Sequence, residues 1–179
     1  LLALAAVRPI TEVRVVTRDV AHAVALRTWA AHERTLGGLA IQPATAQDAV
    51  AGADIVVTAT TSPTPVFQGA WLGEGVHVTA VGSFTPRTRE LDDETLRGAY
   101  LVVDQRAAAL AEAGELRGLR DRDVVELGEI LSGRAPGRTG ESQRTVFKSV
   151  GNAIQDLVVA ARAYERAREL GAGEEIAFP

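Results

Sequence analysis

Three observations predict an α/β fold for this chain, a doubly wound parallel sheet with a long C-terminal helix. Runs such as Ala53 to Ala59 and Val76 to Val81 are almost continuously apolar, as strands buried on both faces are. Segments with helical spacing alternate with them, the pattern of βαβ units joined by right-handed crossovers. Both runs also lead into loops of small and hydroxyl residues, Thr60 to Pro65 and Gly82 to Asp92. Open parallel sheets bind ligands at the carboxyl ends of their strands, where backbone N–H groups and short side chains leave room for a phosphate or a ring. Two such loops point to a nucleotide crevice.

The elements follow in order. Leu1 to Val7 reads as the end of a helix, broken by Pro9 before a strand Val13 to Thr17. Asp19 is placed to cap a helix from Val20 to about Ala31, whose apolar residues recur at helical spacing. A short strand, Leu39 to Gln42, precedes a short helix, Thr45 to Val50, that opens with the capping spacing Thr-x-x-Asp. After the two buried strands, Asp92 is expected to cap a helix at 93, and Leu101 to Asp104 is expected to be a further strand. From Ala107 the pattern turns helical, interrupted by a Gly- and Arg-rich loop, Gly133 to Arg144. The last helix, Val150 to Leu170, carries Val150, Ile154, Leu157, Val158, Ala161 and Tyr164 on one face, with Ser149 expected as its N-cap.

Composition narrows the function. The 179 residues, 46% hydrophobic and 23% charged, suffice for one main core. A net charge of −4, without a basic cluster, gives no reason to expect nucleic acid. No stretch is long and apolar enough to span a membrane, and the amino terminus does not resemble a signal peptide, so a cytoplasmic location is expected. With no cysteine and three scattered histidines, there is no thiolate nucleophile and no visible metal-ligand set. Only one lysine, Lys148, accompanies eighteen arginines, a bias that makes arginine counts weak functional evidence. Without a methionine, and opening on Leu-Leu-Ala-Leu-Ala-Ala, the chain is expected to be the carboxyl-terminal portion of a longer protein.

The ordered strings Ala53 to Ser62, Gly75 to Ser83, Arg89 to Asp92, Val102 to Asp104, Glu112 to Glu115, Glu126 to Arg134 and Phe147 to Asp156 are similar to the ornithine cyclodeaminase and mu-crystallin family over nearly the whole chain. That resemblance implies a Rossmann-like dinucleotide domain, partial here at 1–148. The helix and tail 149–179 would then pack back toward an absent N-terminal substrate and dimerisation domain of a homodimer. No Gly-x-Gly-x-x-Gly occurs, so the first strand and its Gly-rich turn are expected upstream of Leu1.

The resemblance also nominates site residues. The strand whose tip meets the adenosine ribose ends with Thr17 and Arg18; with no acid at that tip, an arginine suits the 2′-phosphate of NADPH, and NAD is the lesser expectation. The plain alternative makes Arg18 an exposed loop charge. Thr58, Thr60 and Ser62 would reach a ribose or phosphate, or simply shape the Ser-Pro and Thr-Pro turns. Val81, Gly82 and Ser83 would approach the nicotinamide, with Gly82 giving close access to a ring. Glu112 would face the ligand, or else be a helix-end surface carboxylate. Ser149 and Val150 would serve the cofactor and ligand from the start of the last helix, and Lys148 reads as simply exposed.

Phe84 stands where cyclodeaminases of the family carry a catalytic aspartate. A phenyl ring cannot transfer a proton, and deamination with ring closure needs a positioned acid–base group. The resemblance therefore implies an NAD(P)H-dependent reductase of small imino acids, of the ketimine or 1-pyrroline-2-carboxylate type. The alternatives are a cyclodeaminase or alanine dehydrogenase using NAD, and a crystallin-like protein that binds NADPH and ligand without turnover.

Overall fold

The computed structural model describes residues 1–174 and Ile176; the end of the expected 149–179 tail lies outside the described residues. In chain order the elements are α1 (Leu2–Val7), β1 (Glu12–Val15), α2 (Val20–His32), β2 (Ala40–Pro43), α3 (Ala46–Val50), β3 (Ile55–Thr58), β4 (His77–Ala80), α4 (Asp93–Leu96), β5 (Tyr100–Val103), α5 (Arg106–Glu112), β6 (Val125–Glu126), α6 (Leu127–Leu131), β7 (Thr145–Lys148) and α7 (Ala153–Leu170). Every strand pairing is parallel, and the expected α/β fold is present.

The sheet is in two pieces. β3, β4, β7, β5 and β6 lie in that order in a five-stranded sheet, while β1 and β2 form a separate pair. Each piece has its own apolar cluster. The larger gathers Val56, Val78, Val103, Leu91, Leu116 and Val146, and the smaller joins Ala30, Leu36 and Ile41 under β1 and β2. Arg14 links β1 to α3, donating to the carbonyls of Asp48 and Ala51 at 2.5 and 2.9 Å and satisfying helix-end carbonyls.

The helix starts follow from capping side chains. Asp19 Oδ1 accepts from Ala21 N at 2.9 Å, Thr45 Oγ1 from Asp48 N at 3.1 Å and Asp92 Oδ1 from Thr95 N at 2.8 Å, all as the sequence implied. One expectation about these elements fails and one element was missed. Ser149 does not cap the last helix; α7 starts later, and Asn152 Oδ1 accepts from Ile154 N at 3.1 Å. More consequential is β7, absent from the sequence reading yet central in the sheet, with Val146 opposite both Val78 and Leu101. Its four residues are too short for a periodic signal, and the lysine at its end disguises a buried strand as a loop margin.

Candidate functional site

The carboxyl ends of β3 and β4 lie side by side, with Thr58 opposite Ala80 and Val81 N donating to the Thr58 carbonyl at 3.0 Å. The loops that follow are in contact. A Cβ added to Gly82 would stand 2.1 Å from the Thr60 carbonyl oxygen and 2.2 Å from its nitrogen, so only glycine lets the loops meet. Sequence reading gave that space to an approaching ring; here the Thr60 backbone occupies it.

Around this contact the nominated hydroxyls divide. Thr58 is buried, and its hydroxyl has no hydrogen-bond partner among the described residues. Ser62 acts as a turn former, its Oγ donating to the Thr64 carbonyl at 2.7 Å while its N–H donates to Thr60 Oγ1 at 3.3 Å. Val81 and Phe84 are exposed, Phe84 at 56%, but Ser83 between them is completely buried.

Ser83 is enclosed by charged groups. The buried carboxylate of Glu90 accepts from Thr60 N at 2.5 Å through Oε1, and from Gly82 N at 2.7 Å and Ser83 N at 3.3 Å through Oε2. Ser83 Oγ lies 2.7 Å from Glu115 Oε2 and 2.8 Å from the Thr88 carbonyl, its one hydrogen serving one acceptor at a time. Lys148 Nζ donates to the Ser83 carbonyl at 2.5 Å and stands 3.3 Å from Glu115 Oε1. Lys148 is 1% exposed, which corrects its reading as an exposed cation. Glu90, Glu115 and Lys148 all sit in strings that carried the family resemblance, but their spacing gave no sign that they converge.

The end of β7 is fixed from β5. Asp104 Oδ2 accepts from Ser149 Oγ at 2.7 Å, Gly151 N at 2.9 Å and Val150 N at 3.2 Å. Ser149 is thus a hydrogen-bond partner of Asp104 just beyond β7, and Val150 packs against the main core. Thr58, Thr60, Ser62, Val81, Gly82, Ser83, Ser149 and Val150 consequently gather at one end of the five-stranded sheet. Thr17 and Arg18 follow β1 in the other piece. Arg18 is exposed and without an ion pair among the described residues, and Thr17 Oγ1 donates to the Asp19 carbonyl at 2.7 Å. Glu112 is exposed at the end of α5, two residues before Gly114, where an added Cβ would meet the Thr88 carbonyl oxygen at 2.2 Å.

The carboxylates from Glu90 to Asp93 are all engaged. Glu90 is spent on backbone N–H groups. Asp92 caps α4 and also accepts from Gly69 N at 2.9 Å; burial raises its pKa, but these bonds and the charge of Arg89 outweigh burial and hold it below the ordinary carboxylate value. Asp93 pairs with Arg89 at 2.6 Å. Among the described residues no group of three His, Asp or Glu could hold a metal ion, and no helix is long and apolar enough to cross a membrane.

Residues 1–171 match the model of the ornithine cyclodeaminase/mu-crystallin family. The chain belongs to this family. It is 41% identical to a Delta(1)-pyrroline-2-carboxylate reductase of Bacillus cereus over 97% of this chain and 55% of the relative. It is 46% identical to the ketimine reductase mu-crystallin of Mus musculus over 66% of this chain and 37% of the relative. The Thermococcus litoralis Delta(1)-pyrroline-2-carboxylate reductase, solved with NADH and L-proline, superposes with a TM-score of 0.89 at 35% identity, over 98% of this chain and 56% of that one. An archaeal alanine dehydrogenase dimer with bound NAD superposes at 0.86 and 31% identity, over 99% of this chain and 56% of that one. The chain spans about half the length of the first of these relatives and of both solved proteins, and less of the mouse protein. The Rossmann-like reading of the family's nucleotide domain thus holds for the fold.

Proposed function

We propose that this chain is the nucleotide-binding part of an NAD(P)H-dependent reductase of small cyclic or linear imino acids. The observation that carries the reading is the segment after β4. It presents an exposed Phe84, and every carboxylate from Glu90 to Asp93 is capped, paired or buried. A deaminating, ring-closing enzyme needs an acid–base group there; reduction of a C=N bond on an already protonated imine does not. The Bacillus cereus, mouse and Thermococcus relatives, named as imine reductases, support the same side of the choice.

A nicotinamide nucleotide fits the groups present. Among the described residues the buried Thr58 hydroxyl lacks a partner at the end of β3, and the exposed Arg18, in the loop after β1, has no ion pair. When bound, such a nucleotide would supply the hydride. Arg18 would neutralise a 2′-phosphate, favouring NADPH over NAD, with Thr17 beside it. Thr58, Thr60, Ser62 and Ser149 would meet ribose and phosphate oxygens, and Val81 and Gly82 would form the wall beside the ring, with the buried Ser83 behind them rather than in contact as the sequence suggested. Phe84 would exclude water from the imine, with Glu112 and Val150 toward the substrate. A further parallel strand with a Gly-rich turn, from outside residues 1–179, would join β1 to β3, and a substrate domain would cover α7 within a homodimer. The break between the two sheets and the half-length coverage support that arrangement.

Phe84→Ala, made in the protein expressed from its complete reading frame, tests the reading. Imine-dependent NADPH oxidation is expected to fall about tenfold or more, on the scale of a lost positioning contact, with nucleotide affinity little changed. An unaltered rate would remove Phe84 from the site.

A further inference from the structure

We infer that Glu90, backed by Ser83, Glu115 and Lys148, is a positioning residue that holds the two crevice loops together as one wall; this rests on the nucleotide reading above. A strand that ends in a loop leaves backbone groups without ladder partners, and buried ones must find others. Here Thr60 N from one loop and Gly82 N and Ser83 N from the other all turn to a single carboxylate that is 0% exposed. Charge-assisted bonds of this kind are shorter and stronger than neutral ones. The Glu90 backbone adds a further tie, its carbonyl accepting from Val66 N at 2.9 Å beyond the first loop.

Ser83 is the residue on which the arrangement converges. Its N–H goes to Glu90, its hydroxyl reaches Glu115 and its carbonyl receives Lys148 from the end of β7, where Lys148 is in register with Ala80 and Val103. All of its polar groups are held by buried charged side chains, while the next residue, Phe84, stands exposed. A buried ion pair such as Lys148–Glu115 is weak evidence for stability, because desolvation offsets much of the attraction. What this one does geometrically is set the height of Ser83, and with it the position of Phe84 and the mouth of the crevice. Glu90 donates no proton in this account; it acts through the loops.

The test compares wild type with Glu90→Gln and Glu90→Asp, each expressed from the complete reading frame. Glutamine turns an amide N–H toward backbone donors, and aspartate keeps the charge but is one methylene too short to reach both loops. Without ligand, the amides of Thr60 and Gly82 should lose hydrogen-exchange protection in the folded variants. The NADPH dissociation constant and the KM for NADPH should rise roughly tenfold to a hundredfold, the size of a lost bond to a charged group. Variants that unfold at lower temperature but bind NADPH with wild-type affinity would overturn the inference, leaving Glu90 a structural group only. A wild-type protein that binds no nicotinamide nucleotide would instead overturn the nucleotide reading, and this one with it. If neither variant folds, the charge-matched pair Lys148→Met with Glu115→Gln, measured in the same way, decides.

Discussion

At the scale of single residues, the site depends on contacts that leave no room. Gly82 sits against Thr60, so Gly82→Ala forces a methyl group into the Thr60 backbone rather than into a side chain that could swing away. We expect a loss of about 1–3 kcal/mol in stability, the usual cost of overpacking, measured by denaturant unfolding; a neutral substitution would show that the loops part freely. Arg18 faces the opposite situation, exposed and without an ion pair among the described residues. If it neutralises a 2′-phosphate, Arg18→Ala should erase about 1.5–3 kcal/mol of preference for NADPH over NADH, the scale of a charge-assisted hydrogen bond. Titration of wild type and variant with both nucleotides checks this, and equal wild-type affinities would refute the assignment.

At the scale of elements, β4 and β7 are stitched by side chains as well as by their ladder. His77 Nδ1 lies 2.7 Å from Thr145 Oγ1 and Nε2 lies 3.1 Å from Thr79 Oγ1, while Arg138 donates to Thr145 Oγ1 at 3.2 Å. Burial first, and then the charge of Arg138, push the His77 pKa below its ordinary value of 6.5. The unfolded chain therefore takes up a proton that the fold resists. This contribution to stability is complete above pH 6.5 and is lost as pH falls toward the depressed folded value. Unfolding midpoints should drop between pH 7.5 and 5.5, and His77→Gln should flatten that slope; an equal slope in the variant would rule His77 out. The same pair of strands shows what the sequence made legible. The apolar runs ending at Thr58 and Ala80 and the caps Asp19, Thr45 and Asp92 could be read, because local periodicity and local hydrogen bonds create them, but β3 is not buried on both faces as expected: Val56 and Thr58 are buried and Val57 is exposed. Central β7 and the convergence of Glu90, Glu115 and Lys148 could not, since they arise from pairings between segments as far as 68 residues apart. Of the nominated residues, those at the ends of β3, β4 and β7 were brought together, whereas the role expected of Ser149 as a cap passed to Asn152.

At the scale of the whole molecule, two surfaces want partners. α7 buries none of its residues, leaving Ile154, Leu157, Val158 and Tyr164 exposed, and β1 and β3 share no ladder. Unpaired strand edges and apolar faces promote association. Residues 1–179 expressed alone are expected to self-associate in sedimentation velocity, and a monodisperse monomer with full nucleotide affinity would contradict the proposed need for a covering domain and an added strand. Under the proposed reading, with Phe84 in place of an acid and Glu90, Asp92 and Asp93 occupied, the complete protein reduces imines and does not deaminate. The most direct measurement sets NADPH oxidation with 1-pyrroline-2-carboxylate beside ammonia release from ornithine, both on the wild-type protein expressed from its complete reading frame. Imine-dependent NADPH oxidation without ammonia is the expected result; robust ammonia release from ornithine would show that the chemistry proceeds without the missing aspartate and that the choice of reductase over cyclodeaminase is wrong.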